Sequence, residues 1–173
     1  MILPLLPFDD EPRWLIALIS DTGMRLAEAA GLLSEDLRLD TETPHINLCE
    51  HAQRTLKTSS SQRKIPLVGM SLWAAKRIKE QNTDFAFPKY CRQAKCNSIS
   101  ASAALNKRLK PRVPIGCVIH SFRHSLRDGL RAVECPADII DAIGGWTTEG
   151  VGHQYGKGHS IEVMHNWLKR IEK

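Results

Sequence analysis

The chain has 173 residues, a length typical of one domain with a substantial core. Its 24 Lys and Arg residues against 19 Asp and Glu residues give a net charge of +5, which is compatible with a polyanionic partner but does not identify one. Five cysteines without regular spacing, and the lack of a signal peptide or membrane span, argue against a secreted disulfide scaffold and a membrane protein, and for a reduced cytoplasmic protein.

The first third of the chain begins with helical patterns. Residues 1–11 contain two prolines and end in three acidic residues, so we interpret them as the remnant of an interdomain linker. From Pro12 to Thr22, apolar residues recur at helical spacing and predict a helix that Gly23 ends. A second short helix is predicted over Arg25 to Leu33.

The pattern then changes to that of strands. Three short strands are predicted over Asp36–Leu39, His45–Glu50 and Arg63–Leu67, separated by turn-forming segments. Together they predict a small antiparallel sheet, with Lys57 in the connection before the third strand.

The remainder is predicted to be helical, with an extended stretch over Phe85–Phe87 and a Pro- and Gly-containing loop over residues 111–116. The predicted helices cover Ser71–Glu80, Ser98–Leu109, a segment capped by Ser121, a segment from Cys135 that stops at Gly144, and a last helix opened by Ser160. The predicted fold class is therefore α+β, mainly helical, with a small antiparallel sheet.

Four side chains in these elements could act together on a phosphodiester. Tyr155 offers a phenol, whose unperturbed pKa of about 10 means that attack needs a base or nearby cations. Arg25 and Arg123 each open a predicted helix, and two planar, always-charged guanidinium groups could hold a phosphate. His120 can change charge near neutral pH and could accept a proton.

Lys57 and Trp146 complete the candidate set. Lys57 could protonate a leaving oxygen from a mobile turn, a role for which arginine is a poor choice; Arg63 and Lys64 are nearby competitors. Trp146 follows a Gly-Gly helix stop and offers one N–H donor, which can bind a phosphate oxygen but cannot move protons. The structural alternatives are a solvated turn lysine and a packing tryptophan.

Other polar residues are assigned supporting roles. Glu28 is suited to hold Arg25 through an i,i+3 ion pair, and His124 is interpreted as structural. Two sets could suggest zinc, namely Cys49 with His51 and Cys91 with Cys96, but their spacing matches no metal pattern. We therefore predict isolated thiols, no disulfide, no metal site and no cofactor.

In order and spacing, the six candidates closely resemble the tyrosine recombinase, or phage integrase, family, whose catalytic domain carries Arg, Lys, His-x-x-Arg, His or Trp, and then Tyr. The resemblance covers roughly Pro12 to Tyr155. It implies a catalytic domain over residues 12–173, without the separate helical domain that such proteins place before it. It also favours Lys57 as the catalytic lysine, because the family's lysine precedes the turn and an Arg-x-Ile-Pro-Leu-like strand follows.

The resemblance implies DNA strand cleavage and rejoining through a 3'-phosphotyrosyl intermediate, in integration or excision of a mobile element. The implied partners are double-stranded DNA and other protomers in a tetrameric synapse, where the last helix, Ser160 to Lys173, is a candidate for exchange between neighbours. No metal or nucleotide cofactor is required. Two alternatives stay open: a type IB topoisomerase-like activity, and a catalytically inert DNA-binding module.

Overall fold

The computed structural model describes residues 8–51, 54, 56, 61–92, 95–146 and 158–172. Two of the six predicted site residues, Lys57 and Tyr155, lie outside these described residues. The helices are α1 (Glu11–Thr22), α2 (Leu26–Ala30), α3 (Gly69–Glu80), α4 (Ser98–Leu109), α5 (Ser121–Ala132), α6 (Ala137–Gly144) and α7 (Ile161–Arg170). The strands are β1 (Leu37–Arg38), β2 (His45–Leu48), β3 (Arg63–Pro66), β4 (Cys91–Arg92) and β5 (Lys95–Cys96).

Helix α1 forms the centre of the larger hydrophobic core. Asp10 caps it by accepting a hydrogen bond from the backbone N–H of Arg13 at 3.1 Å, and Gly23 ends it in the left-handed conformation. Side chains Leu15 and Ile16 are completely buried. Because α1 packs against both α3 and α5, it fixes the position of the segment that follows it, which carries Arg25.

The predicted antiparallel sheet is confirmed. Its strand order is β1-β2-β3, and β2 pairs with β3 so that Ile46 lies opposite Ile65 and Leu48 lies opposite Arg63. Ile46, Leu48 and Ile65 have no exposed surface, so one face of the sheet packs on the core. Arg63 is two residues before Ile65, and residues two apart in a strand point to the same face. Arg63 therefore belongs to the same buried face.

A second hydrophobic cluster joins the last three helices. It contains Leu126 and Leu130 of α5, Ile139 and Ile143 of α6, and Met164 and Leu168 of α7. Helix α7 thus packs on its own chain in this structure. Among the described residues, no helix combines the length and hydropathy needed to cross a bilayer.

Two local helix predictions need correction. Helix α2 ends at Ala30, before the predicted Leu33, because Leu33 instead forms a bridge with Phe85. Ser121 is the first residue of α5 rather than its cap, and its hydroxyl accepts a hydrogen bond from the N–H of Val118 at 3.1 Å. His120 occupies the capping position.

The prediction of isolated thiols is wrong for Cys91 and Cys96. These residues lie opposite each other in the β4–β5 hairpin and form a disulfide with an S–S distance of 2.09 Å. The two-residue strands carry too little periodicity to be recognised in the sequence, so the pairing was not apparent. Cys49, Cys117 and Cys135 are free.

Candidate active site

Arg25 lies at the junction between α1 and α2, where Glu28 holds it. Its backbone N–H donates to Glu28 Oε2 at 3.1 Å, and its guanidinium Nη1 donates to Glu28 Oε1 at 2.6 Å. The guanidinium also reaches Ser61 Oγ at 3.2 Å and the backbone oxygen of Gly145 at 3.5 Å. The i,i+3 pair predicted from the sequence is therefore present, and the Arg25 side chain stays 28% exposed.

Arg63 supports this arrangement by binding Glu28, the partner of Arg25. Its Nη2 donates to Glu28 Oε2 at 3.2 Å, its Nη1 to Ser61 O at 2.7 Å, and its Nε to Ile143 O at 3.0 Å. One nearly buried guanidinium thus links β3, α2 and the end of α6. Sequence reasoning treated Arg63 only as a competitor of Lys57. The sequence did contain a signal for this role. Arg63 is two residues before the buried Ile65, so the strand pattern places its charge on the core side of β3.

Arg123 is a buried cation of the same cluster. Helix α5 buries it to 4% exposure, and its Nη1 donates to the backbone oxygen of Gly23. Its Nη2 is buried and has no hydrogen-bond partner within the part of the chain that the structure describes. A buried charged donor without an acceptor is costly, so this atom indicates where an anion can bind.

Trp146 reaches the arginine cluster because two glycines precede it. The indole lies against Gly144 so closely that a Cβ there would be 1.8 Å from its Cζ3. Gly145 has a φ of 62°, which favours glycine, and a Cβ there would be 2.6 Å from Arg63 Nη1. The centroid of the indole ring lies 4.2 Å from Arg123 Cζ, which is a cation–π contact. This contact was not predicted from the sequence.

The electrostatics of the cluster favour an anion. Among the described residues, the guanidinium groups of Arg25, Arg63 and Arg123 lie around the carboxylate of Glu28, and Arg127 adds a further positive charge beside Arg123. Burial, followed by repulsion from Arg25 and Arg63, lowers the pKa of Arg123 to about 10. Because these cations repel one another and Glu28 carries one negative charge, a bound phosphate would relieve part of the remaining positive charge.

His120 lies at the start of α5, three residues before Arg123. Its ring contacts that of His124 at 5.1 Å between centroids, in an edge-to-face arrangement. Burial lowers the pKa of His120, and the neighbouring His124, Arg123 and Arg25 lower it further. The imidazole is therefore neutral at neutral pH, which is the form that can accept a proton.

The structure brings Arg25, Arg123 and Trp146 together and sets His120 beside them. Lys57 and Tyr155 lie outside the described residues, so their positions stay predictions. The structure does describe residues near each of them in the chain. Ser61, four residues after Lys57, hydrogen-bonds to Arg25, and Trp146, which precedes Tyr155 by nine residues, stacks on Arg123.

Glu28 should be the main source of stability in this cluster. Burial alone raises the pKa of Glu28, but the charge of Arg63 and the hydrogen bonds from Arg25 outweigh it, and the net pKa lies below the ordinary value. We expect Glu28→Gln to lower the unfolding free energy by about 2–4 kcal/mol at pH 7, because two guanidinium groups lose their counterion. Urea denaturation measures this change.

The pH dependence of that loss is a further check. A carboxyl whose pKa is depressed by folding contributes stability above its unfolded pKa and loses it as the pH falls through the folded pKa. The difference between wild type and Glu28→Gln should therefore shrink below pH 4.5. Glu80→Gln, which removes the exposed ion pair with Arg77, is the control and should cause no measurable change. A neutral effect of Glu28→Gln at pH 7 would contradict the assignment.

Comparison with known proteins identifies the family. Residues 7–157 match the phage integrase family. The chain belongs to this family. The resemblance inferred from the six candidate residues is thereby confirmed. A search of curated proteins found no match.

Solved structures share the fold. A fragment of the Tn1549 transposon integrase in complex with transposon right end DNA aligns with a TM-score of 0.65 and 16% identity, covering 98% of this chain and 62% of that one. The XerH site-specific recombinase bound to its difH substrate aligns with a TM-score of 0.56 and 16% identity, covering 87% of this chain and 44% of that one. The chain therefore spans less than two thirds of the length of these neighbours.

Proposed function

We propose that the chain is the catalytic domain of a site-specific DNA recombinase, which cleaves and rejoins strands through a 3'-phosphotyrosyl link to Tyr155. The observation that carries the proposal is the convergence of Arg25, Arg123 and Trp146, where Arg123 Nη2 has no hydrogen-bond partner among the described residues. A net positive cluster with an open donor is suited to the non-bridging oxygens of a phosphodiester.

In the proposed mechanism, the scissile phosphate lies between Arg25 and Arg123. Attack by a phenolic oxygen adds charge to the non-bridging oxygens, and pre-positioned guanidinium groups stabilise that charge more strongly in the transition state than in the bound substrate. Arg123 has little freedom to reorient, because it is held by Gly23 O and the Trp146 ring. Arg63 and Glu28 in turn fix Arg25.

Proton movement completes the cleavage step. The bond between Tyr155 and phosphorus forms as the bond between phosphorus and the 5' oxygen breaks. Neutral His120 accepts the phenolic proton, and Lys57 donates a proton to the leaving 5' oxygen. In the reverse direction, a 5' hydroxyl of a partner strand attacks the phosphotyrosyl link, so the bond energy is conserved without metal or nucleotide.

Double-stranded DNA and further protomers are the proposed partners. The aligned neighbours were solved on transposon end DNA and on a recombinase substrate, which supports DNA as the ligand of the basic cluster. We propose integration or excision of a mobile element by protomers assembled as a tetramer, acting in the cytoplasm. Helix α7 is the segment proposed for exchange between protomers.

A nicked suicide duplex carrying the end of the host element tests the proposal. After cleavage next to the nick, the short fragment that carries the free 5' hydroxyl diffuses away. Rejoining is then impossible, so the covalent adduct accumulates and is detected by denaturing gel electrophoresis. DNA binding without an adduct would favour the inert module. Relaxation of supercoiled plasmid without site preference would favour the topoisomerase-like activity. Either outcome would defeat the recombinase assignment.

Lys57 is tested by changing the leaving group. We expect Lys57→Ala to slow cleavage by about 10²–10⁴-fold, the usual contribution of a general acid. A substrate with a 5'-bridging phosphorothioate should restore most of the rate, because a thiolate leaves without a proton. Lys64→Ala, an exposed residue of β3, is the control and should cleave the ordinary substrate at the wild-type rate. Equal defects on both substrates would remove Lys57 from the acid role.

A further inference from the structure

A mixed cluster of ligating side chains lies on the segment that enters the Lys57 connection. Cys49 and His51 follow β2 directly, and Asp36 lies at the end of the 3₁₀ turn before β1. His51 Nε2 is 2.7 Å from Asp36 Oδ1, Cys49 Sγ is 3.7 Å from His51 Nε2, and Cys49 Sγ is 4.0 Å from Asp36 Oδ1. One nitrogen, one sulfur and one oxygen therefore face a common point.

These three distances are close to those around a zinc ion. With metal–ligand distances of about 2.0–2.3 Å and tetrahedral angles, the ligand atoms would be about 3.3–3.6 Å apart. Lengthening the His51–Asp36 contact and drawing in the Cys49 sulfur, each by roughly half an ångström, would place an ion between all three. Thiolate, imidazole and carboxylate together are also a donor set that suits Zn²⁺.

The surroundings of Asp36 are those of a supported ligand. Its carboxylate is 2% exposed, and Arg54 Nη1 binds its other oxygen, Oδ2, at 2.9 Å. Arg54 also donates from Nε to the backbone oxygen of Cys49 at 3.1 Å. This arrangement directs Oδ1 toward His51 and leaves it available to a metal, as outer hydrogen bonds do in metal sites.

We propose that Asp36, Cys49 and His51 bind one Zn²⁺ ion, with a water molecule as fourth ligand. His51 retains 18% exposure, so solvent can reach the site. The thiolate and the carboxylate supply two negative charges, against two positive charges of the ion and one of Arg54, which binds the other carboxylate oxygen. The site uses none of the residues assigned to strand cleavage, so the ion would take no part in that reaction. It would tie the start of the Lys57 connection to the turn before β1.

Sequence reasoning rejected zinc here because Cys49 and His51 lacked a matching second half. The third ligand comes from a separate element, 13 residues before Cys49, that the β1–β2 pairing brings alongside. No spacing rule covers such a set. The earlier prediction of an isolated Cys49 thiol is replaced by this proposal.

The test uses the whole chain, stripped of metal with a chelator and kept free of reductant so that the Cys91–Cys96 bond stays closed. Co²⁺ is titrated first, because a thiolate-to-cobalt charge-transfer band in the near ultraviolet reports sulfur ligation. Zn²⁺ binding is then measured by equilibrium dialysis. We expect one equivalent of metal, the charge-transfer band, and weaker binding at acid pH as the ligands become protonated.

Variants locate the ion. Cys49→Ser should abolish the band and weaken Zn²⁺ binding by at least about 100-fold. Cys117→Ser and Cys135→Ser, which remove the other free thiols, should keep the band and one equivalent of metal. If Cys49→Ser fails to fold by circular dichroism, His51→Gln replaces it and should weaken binding similarly. Absence of binding in the wild type, or equal binding by Cys49→Ser and Cys117→Ser, would overturn the proposal.

Discussion

Replacing Tyr155 with Phe should eliminate the covalent protein–DNA adduct. The substitution removes one oxygen atom, the proposed nucleophile, and no other group of the site can form a phosphotyrosyl link. We expect no detectable adduct on the suicide duplex, while DNA affinity changes by less than about threefold, because the cationic contacts that dominate affinity are retained. Gel electrophoresis measures the adduct, and fluorescence anisotropy measures the affinity.

Tyr90→Phe is the matched control, since Tyr90 is the other tyrosine of the chain. Tyr90 is 5% exposed, and burial together with Glu11 and Asp10 raises its pKa to about 12. A buried phenol is not accessible to a DNA phosphate, so this variant should form adduct at the wild-type rate. Cleavage by Tyr155→Phe, or its loss in Tyr90→Phe, would place the nucleophile elsewhere.

The sequence was sufficient for those parts of the fold that depend on local patterns. Helix α4 begins at Ser98 and ends at Leu109, as its apolar spacing predicts, and α7 begins after Ser160, whose hydroxyl accepts a hydrogen bond from the N–H of Val163. The pairing of β2 with β3 also follows from alternation and short turns. In each case the deciding interactions lie within a few residues, where periodicity and capping act.

The parts that were missed depend on contacts between distant segments. Arg63 became recognisable as a link only when Glu28, 35 residues earlier, and Ile143, 80 residues later, were brought to it. The Cys91–Cys96 bond required a hairpin with two-residue strands. Spacing along a chain does not encode contacts of this kind, so they became visible only in the packed structure.

The two arginines illustrate the same difference within the site. The sequence identified Arg25 and Arg123 through their places at helix beginnings, but it could not show that one donor of Arg123 lacks an acceptor in the described part of the chain. That property arises because α5 buries the side chain against Gly23 and Trp146. A buried charged donor without an acceptor among the described residues is costly, and this cost gives the anion site support that a sequence motif alone does not give.

Arg123→Ala should therefore slow adduct formation by about 10²–10³-fold, the usual effect of removing one donor that stabilises transition-state charge. DNA affinity should fall by less than about tenfold, because the other cationic contacts remain. Arg123→Lys should recover only part of the loss, since an ammonium keeps the charge but lacks the planar fork. Single-turnover cleavage at saturating protein separates the rate from the affinity.

Arg131→Ala provides the control on the same helix. Arg131 is 59% exposed and pairs only loosely with Asp128, at 3.7 Å, so its removal should leave the cleavage rate unchanged. Urea denaturation of both variants tests whether a rate loss in Arg123→Ala comes from unfolding. A folded Arg123→Ala protein that cleaves as fast as Arg131→Ala would show that the buried guanidinium is a packing residue. Arg123 Nη2, which has no acceptor within the described ranges, would then need one other than the phosphate of DNA.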